Sequence, residues 1–380
     1  MVDRTSSRWT AAAAAMAVVC LFLAAPAAAQ EGGSDQVSVE LGGLLRTGFV
    51  AGPGDLGVRD GFEIHDARLR ASGEVGIVFD YFVQGEWDGI REEFRLLDAR
   101  LTLPLSPALA VDLGQFRAPF GKEALQGKGE ITFVERAQVS RLLPPGRQVG
   151  VQLSGEAMDR RLTYRAGLFN GNGRTFTNDD DELLWAGRVQ FNNVGPSEFY
   201  DELVVEVGAN AAFSEDSAVN LAAGLDGPVT LARGLDAGAF DGDRLLYGGD
   251  LRLGWQGIFL RGEYLRGELE PAGGLPGGGA TDDELVVEGG YLEGGYSYLG
   301  AIEAVVRYDA VNDALVAVEG RRTTDPDQPP SSAEFLVFGL NLFPGYHAKI
   351  GLQYAVGLDG TRVGPGLADG EFSLTAQLDF

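Results

Sequence analysis

The last nine residues, Phe372-Ser-Leu-Thr-Ala-Gln-Leu-Asp-Phe380, put an apolar side chain at every even position and a polar one at every odd position. Successive side chains of an extended strand point to opposite faces, so this period of two describes a strand with one apolar and one polar side. The pattern recurs along the chain. Leu336, Phe338, Leu340 and Leu342 share a face, as do Ile350, Leu352, Tyr354 and Val356 opposite Lys349 and Gln353. Leu203, Val205, Val207, Ala209, Ala211 and Phe213 oppose Glu206 and Asn210, while Trp185, Val189 and Phe191 oppose Arg188 and Gln190. About sixteen segments of roughly 8–12 residues read this way, starting near 37, 62, 75, 94, 109, 147, 161, 184, 202, 244, 256, 285, 300, 334, 346 and 371. The expected class is all-β.

The connections alternate in length. Long ones fall at 117–146, 214–243, 267–284, 310–333 and 357–370, and short ones at Gly73-Glu74, 155–160, Gln256-Gly257, 297–299 and Pro344-Gly345. An even strand number with long outer loops and short periplasmic turns is the signature of a single-chain outer-membrane barrel. A soluble sandwich would show the same period of two, with its polar face outside. Three features favour the membrane alternative: the loop alternation, the aromatic Phe380 that closes an alternating strand, and the N-terminus. There Arg4 and Arg8 precede an apolar run from Ala11 to Ala25, followed by Ala27-Ala28-Ala29. That is the pattern of a secretory signal peptide over 1–29, cleaved on export. Residues 30–380 are then expected to form a transmembrane antiparallel β-barrel of about sixteen strands in the bacterial outer membrane, in contact with lipid and lipopolysaccharide. The lone cysteine, Cys20, lies in the leader, so the mature barrel has no disulfide.

Charge narrows the function. There are 30 Lys and Arg against 55 Asp and Glu, a net charge of −25, which excludes a basic face for nucleic acid. One Cys and two His, His65 and His347, sit in no metal or nucleophile motif, so neither a cofactor nor an enzyme is expected. On the polar, lumen-side parity lie Arg46, Arg68, Arg70, Arg100, Arg165, Arg188, Arg252, Arg261, Arg307 and Lys349, facing acids that include Asp66, Glu86, Asp98, Asp112, Asp250, Glu263 and Asp309. Much of the acidic excess falls in loops, as at Asp179-Asp180-Asp181-Glu182 and Asp282-Asp283-Glu284.

One segment inverts this balance. Between Gln115 and Arg147 stand Arg117, Lys122, Lys128, Arg136, Arg141 and Arg147 against only Glu123, Glu130 and Glu135. The same stretch is rich in Phe, Leu, Ile and Val, too apolar for a solvated loop. Folding into the barrel mouth would cover it and set its cations at the narrowest point, where low-dielectric walls focus their field on passing anions. The loop 117–146 is therefore the expected constriction. Arg68, Arg70, Arg100, Arg165, Arg188 and Arg252 are the expected cations of the lumen wall.

The runs Gly114-Gln-Phe-Arg-Ala-Pro-Phe-Gly121, Phe133-Val-Glu-Arg136, Pro145-Gly-Arg147-Gln-Val-Gly150 and Gly167-Leu-Phe-Asn-Gly171, with Gly339-Leu-Asn-Leu-Phe343 and the closing Phe, resemble the phosphate-selective porin O and P family. The resemblance implies a sixteen-stranded homotrimeric pore whose third outer loop narrows the channel, with Arg and Lys guiding small anions such as phosphate. Arg117, Lys122, Arg136 and Arg147 match the motif positions. The chain departs from a lysine-rich funnel, holding three Lys against 27 Arg, and its outer loops are acidic. Passive diffusion of phosphate or other anions, general non-selective diffusion, and a structural or adhesin-type barrel without conductance all remain open on sequence.

Overall fold

A computed structural model of the chain describes residues 37–380 except 55–57, 59, 77, 89–92, 107, 175–176, 179–180, 194–202, 222, 224–229, 232–238, 275–283, 313–314, 317–332, 359, 362 and 365–366. The signal peptide expected over 1–29 and most of the acidic loop runs lie outside the described residues.

Sixteen antiparallel strands close into one barrel. They are β1 (Glu40–Ala51), β2 (Gly61–Val75), β3 (Phe79–Asp88), β4 (Glu93–Ser106), β5 (Leu109–Arg117), β6 (Arg147–Ala157), β7 (Leu162–Phe169), β8 (Leu184–Asn192), β9 (Val204–Val219), β10 (Phe240–Trp255), β11 (Ile258–Pro271), β12 (Leu285–Tyr298), β13 (Ile302–Val311), β14 (Ala333–Gly345), β15 (Ala348–Gly357) and β16 (Phe372–Asp379). Each pairs with its sequence neighbours, and β16 pairs with β1 to remove the last edge. Phe380 extends that seam, exchanging backbone hydrogen bonds with Gly43 at 2.7 and 3.0 Å.

Parity decides between a soluble and a membrane barrel. The inward positions hold buried charge: Arg46, Arg307, Asp309, Glu293 and Asp66 are each 3% exposed or less. The outward positions are apolar and open, among them Leu251, Leu340, Leu352, Ile350 and Leu374 at 40% or more. A soluble protein has the reverse arrangement. Here every strand is paired on both edges within the closed sheet and an apolar skin faces outward, as lipid requires. Trp87, Trp185, Trp255 and Tyr298 stand exposed at strand ends, the level of an interfacial aromatic girdle.

Connections after odd-numbered strands are generally long and those after even-numbered strands short, as the alternation predicts. The strands run further than the sequence pattern suggested. β2 continues through Gly73 and Glu74, which pair with Tyr81 and Asp80, so the first tight turn comes only after Val75. β9 and β10 extend to Val219 and from Phe240, shortening the loop expected at 214–243. A β-bulge interrupts the β1–β2 ladder, where Arg46 opposes Asp66 but Thr47 opposes Ile64. The extra residue is His65; strict alternation would turn it outward with Ala67 and Leu69, yet its side chain is only 9% exposed.

The outward face predicts its own test. Leu352 lies mid-strand with Leu340 and Leu374 as cross-strand partners. Leu352→Arg should cost about 2–4 kcal/mol in lipid vesicles, read from reversible denaturant unfolding, whereas a soluble barrel would accept the change with little loss.

Candidate functional site

The segment between β5 and β6 leaves the sheet and folds into the lumen. Its neck is closed by Ala118 N–H donating to the Gly146 carbonyl at 2.9 Å. Gly121 and Gly146 flank it with φ of 77° and 71°, a left-handed turn that side chains resist. Inside the barrel the segment forms two short helices, α1 (Lys122–Leu125) and α2 (Gln138–Leu142). Phe120, Val139, Leu142 and Leu143 pack on lumen-facing Phe169, Leu184, Leu246, Leu265, Leu285 and Val287. Those wall positions are apolar because the loop covers them.

Polar ties extend round the wall in chain order. Lys122 Nζ binds Gln190 on β8 at 3.0 Å and pairs with Glu206 on β9. Glu263 on β11 accepts the backbone N–H groups of Lys122 and Glu123 at 2.5 and 3.2 Å and the Ser140 hydroxyl at 3.1 Å. Asp309 on β13 accepts Gln138 N–H at 3.2 Å. Asn341 on β14 donates to the Thr132 carbonyl at 3.1 Å, and Gln353 on β15 accepts Val134 N–H at 3.0 Å. Lys349 donates to the Ile131 carbonyl at 2.7 Å, Gln377 on β16 to that of Gly129 at 2.9 Å, and Arg46 on β1 to that of Val134 at 2.6 Å. Gln377 is near the last residue of β16, so the loop descends well below the barrel mouth.

At the centre of this seam Arg307, fully buried, lies 3.3 Å from Asp309, 3.6 Å from Glu123 and 3.7 Å from Glu293, with Phe133 stacked 4.5 Å from its guanidinium. Burial raises the Glu123 carboxyl to about 7; Arg307 opposes the rise and Glu293 adds to it. Burial also acts against the Glu135 carboxylate, but Lys128, Arg141 and Arg46 outweigh it and hold that group well below the usual range.

Opposite the docked side, a cavity of about 400 Å³ separates the loop tip from β1–β7. Seven cations line it, Arg68, Arg70, Arg100, Arg117, Lys128, Arg147 and Arg165, against the three carboxylates Asp98, Glu130 and Asp379. Several are paired. Arg147 makes a two-pronged contact with Asp98 at 3.1 Å, Arg70 meets Asp379 at 2.8 Å, Arg68 sits between Asp66 and Glu86, and Lys128 meets Glu135 at 3.2 Å. Arg117 donates to the carbonyls of Leu125 and Gln126, bracing α1.

Seven of the cations expected from sequence therefore converge. The others lie elsewhere. Lys122 is a wall tie. Arg136 donates to the carbonyls of Glu123 and Gln126, and Arg141 lies 3.9 Å from Glu135. Arg188 is held by both oxygens of Asp250 at 2.6 and 2.9 Å, and Arg252 sits outside the cavity, opposite Arg261 and Glu206. Sequence reasoning missed the anchors Glu263, Gln353, Asn341 and Gln377. Their only signal is lumen-side parity, which does not say what a side chain will meet.

The model of the phosphate-selective porin O and P family matches residues 46–323. The chain belongs to this family. It is a channel protein of the bacterial outer membrane. No curated protein matches the porin. Among solved structures it is similar to OmpT of Vibrio cholerae with loop L8 deleted, at 14% identity and a TM-score of 0.60 over 91% of this chain and 100% of that one. It is also similar to an anion-selective porin from Comamonas acidovorans, at 15% identity and 0.57 over 91% and 100%. OmpF of Salmonella typhi in complex with daunomycin follows at 11% identity and 0.55 over 91% and 98%. At such identities the likeness establishes the fold.

Glu123 gives the porin's loop a predictable pH response. A carboxyl raised from 4.5 to about 7 favours the docked loop fully below the lower value and loses that contribution as pH rises through the higher one. Amides of 122–143 should therefore exchange faster at about pH 8 than at about pH 5 after correction for intrinsic rates, and Glu123→Gln should remove the difference.

Proposed function

We propose that this porin passes small anions, phosphate among them, by passive diffusion through a water-filled barrel constricted by the loop 117–146. The observation that carries the reading is the lining of the cavity, seven cations to three carboxylates in a chain of net charge −25. Low-dielectric walls concentrate that field on the passage and raise the local anion concentration. Arginine suits the task because its planar fork meets oxyanions with two parallel hydrogen bonds. Arg117, Lys128, Arg147, Arg68, Arg70, Arg100 and Arg165 are the residues of this path. Lys122, Arg136, Arg141 and Arg188 serve it by holding the loop and wall in place.

General, weakly selective diffusion is favoured by one observation, the pairing of Arg68, Arg70, Arg147 and Lys128 with carboxylates. Such pairs present little net field. The proposed working form is a homotrimer, in keeping with the family resemblance and with a neighbour described as the trimer form of Vibrio cholerae OmpT, with lipid and lipopolysaccharide around the apolar skin.

The test is the reversal potential of single channels under a KCl gradient. The expected result is chloride preference that falls by severalfold when Arg100 and Arg165 are both changed to Gln, with phosphate reducing the chloride current. A reversal potential near zero in the unmodified porin would leave general diffusion as the function.

A further inference from the structure

The cavity cations differ in how much of their charge is already met. Arg68, Arg70, Lys128 and Arg147 each touch a carboxylate within about 3.2 Å. Arg117 is turned to the Leu125 and Gln126 carbonyls, and Arg100 and Arg165 meet no carboxylate at that distance among the described residues. The nearest carboxylate oxygen to Arg100 belongs to Asp112, at 3.8 Å, and the Arg100 side chain is 40% exposed. Arg165 is exposed to the lumen and makes no hydrogen bond or ion pair among the described residues. Its cross-strand neighbour Arg188 is fully engaged by Asp250. Asp112 lies within electrostatic reach of both Arg100 and Arg165, but its oxygens are taken up by neutral donors: Thr102 Oγ1 at 2.6 Å, Gln152 Nε2 at 2.9 Å and Ser154 Oγ at 3.1 Å. Two guanidinium groups against one carboxylate leave one positive charge.

Beside this charge the wall turns apolar. Phe82 on β3 stands directly opposite Arg100 in the β3–β4 register, so it too faces the lumen. The Arg100 guanidinium lies 5.8 Å from its ring centroid. Phe116, Leu44 and Leu125 complete an apolar border to the same cavity. A hydrated inorganic anion gains nothing from such a border, and a ring on a wetted lumen face costs free energy unless something covers it.

We propose that this part of the cavity is a subsite for organic monoanions with a flat apolar body, aryl carboxylates above all, the carboxylate set between Arg100 and Arg165 and the ring against Phe82. The proposal rests on the anion-passing reading and names its substrate class. The single surplus charge matches a monoanion, and the cavity volume admits a ring with its carboxylate. Bound carboxylate completes the charge of the arginine pair, and the ring displaces water from Phe82.

Single-channel recordings in KCl with benzoate, acetate or inorganic phosphate titrated in will test this. The expected result is half-block of the chloride current by benzoate at about one-tenth of the acetate concentration. Phe82→Ala should raise the benzoate value to that of acetate while leaving acetate unchanged, and Arg165→Gln should weaken both. Phe82→Leu keeps an apolar side chain and should fall between, which guards against a misfolded Ala variant. Equal block by benzoate and acetate, or stronger block by phosphate than by benzoate, would overturn the subsite while leaving an anion channel. A channel without chloride preference, and without block by any of the three, would instead remove the anion reading beneath it.

Discussion

A loop inside a barrel brings backbone donors and acceptors into a space where water no longer reaches all of them, and each unpaired group costs free energy. The structure meets this demand with wall side chains. Glu263, Asp309, Asn341, Gln353, Lys349, Gln377 and Arg46 bond to the loop backbone one strand after another. Arg307 anchors the seam by facing three carboxylates from a fully buried position. A buried charge of this kind persists only while its partners are present, and removing one typically costs about 3–5 kcal/mol. The polar face of the strands from β8 to β1 thus serves the loop as much as the solvent.

Docking on one side also sorts charge. Glu206, Glu263, Glu293 and Asp309 lie beneath the loop or in its seam, each 5% exposed or less. Their carboxylates are met there and lost to the passage. The open side keeps Arg68, Arg70, Arg100, Arg147 and Arg165, joined by Arg117 and Lys128 at the loop. The loop covers these four acids together with Arg46, Arg307 and Lys349, and the cavity left open is lined by seven cations and three carboxylates. The loop's five cations contribute less than their number suggests, since Lys122, Arg136 and Arg141 hold the loop together or to the wall.

The barrel was legible in the sequence because period-two parity and loop length act locally. The starts of β5, β6, β8 and β12 fell on the expected residues. The boundaries at Gly73-Glu74 and at 214–243 did not, because pairing with a neighbouring strand carries extended backbone past a local turn signal. His65 defeated parity because a bulge shifts every later residue to the other face. The basic, apolar loop was legible in composition, and so was its need for cover. Its depth and the side on which it docks were not, since these depend on pairs such as Gln138 with Asp309 and Gly129 with Gln377, far apart in sequence. For the same reason charge alone could not separate Arg165, which meets no carboxylate among the described residues, from Arg188, bound to Asp250.

The loop seals one half of the lumen wall, and cations line the cavity along the other half. Cys20 is the only cysteine of the sequence and falls in the segment expected to be a cleaved leader, so single thiols can report on each half. Gln84 lines the open cavity, and Thr375 lies on the covered side at 3% exposed. The measurement is the rate at which Gln84→Cys and Thr375→Cys react with small anionic and cationic thiol reagents in the membrane. Gln84→Cys should be modified fast, with the anionic reagent ahead by about tenfold or more, and Thr375→Cys should be nearly inert. Equal rates at the two positions, or a preference for the cationic reagent at Gln84→Cys, would contradict this division of the wall.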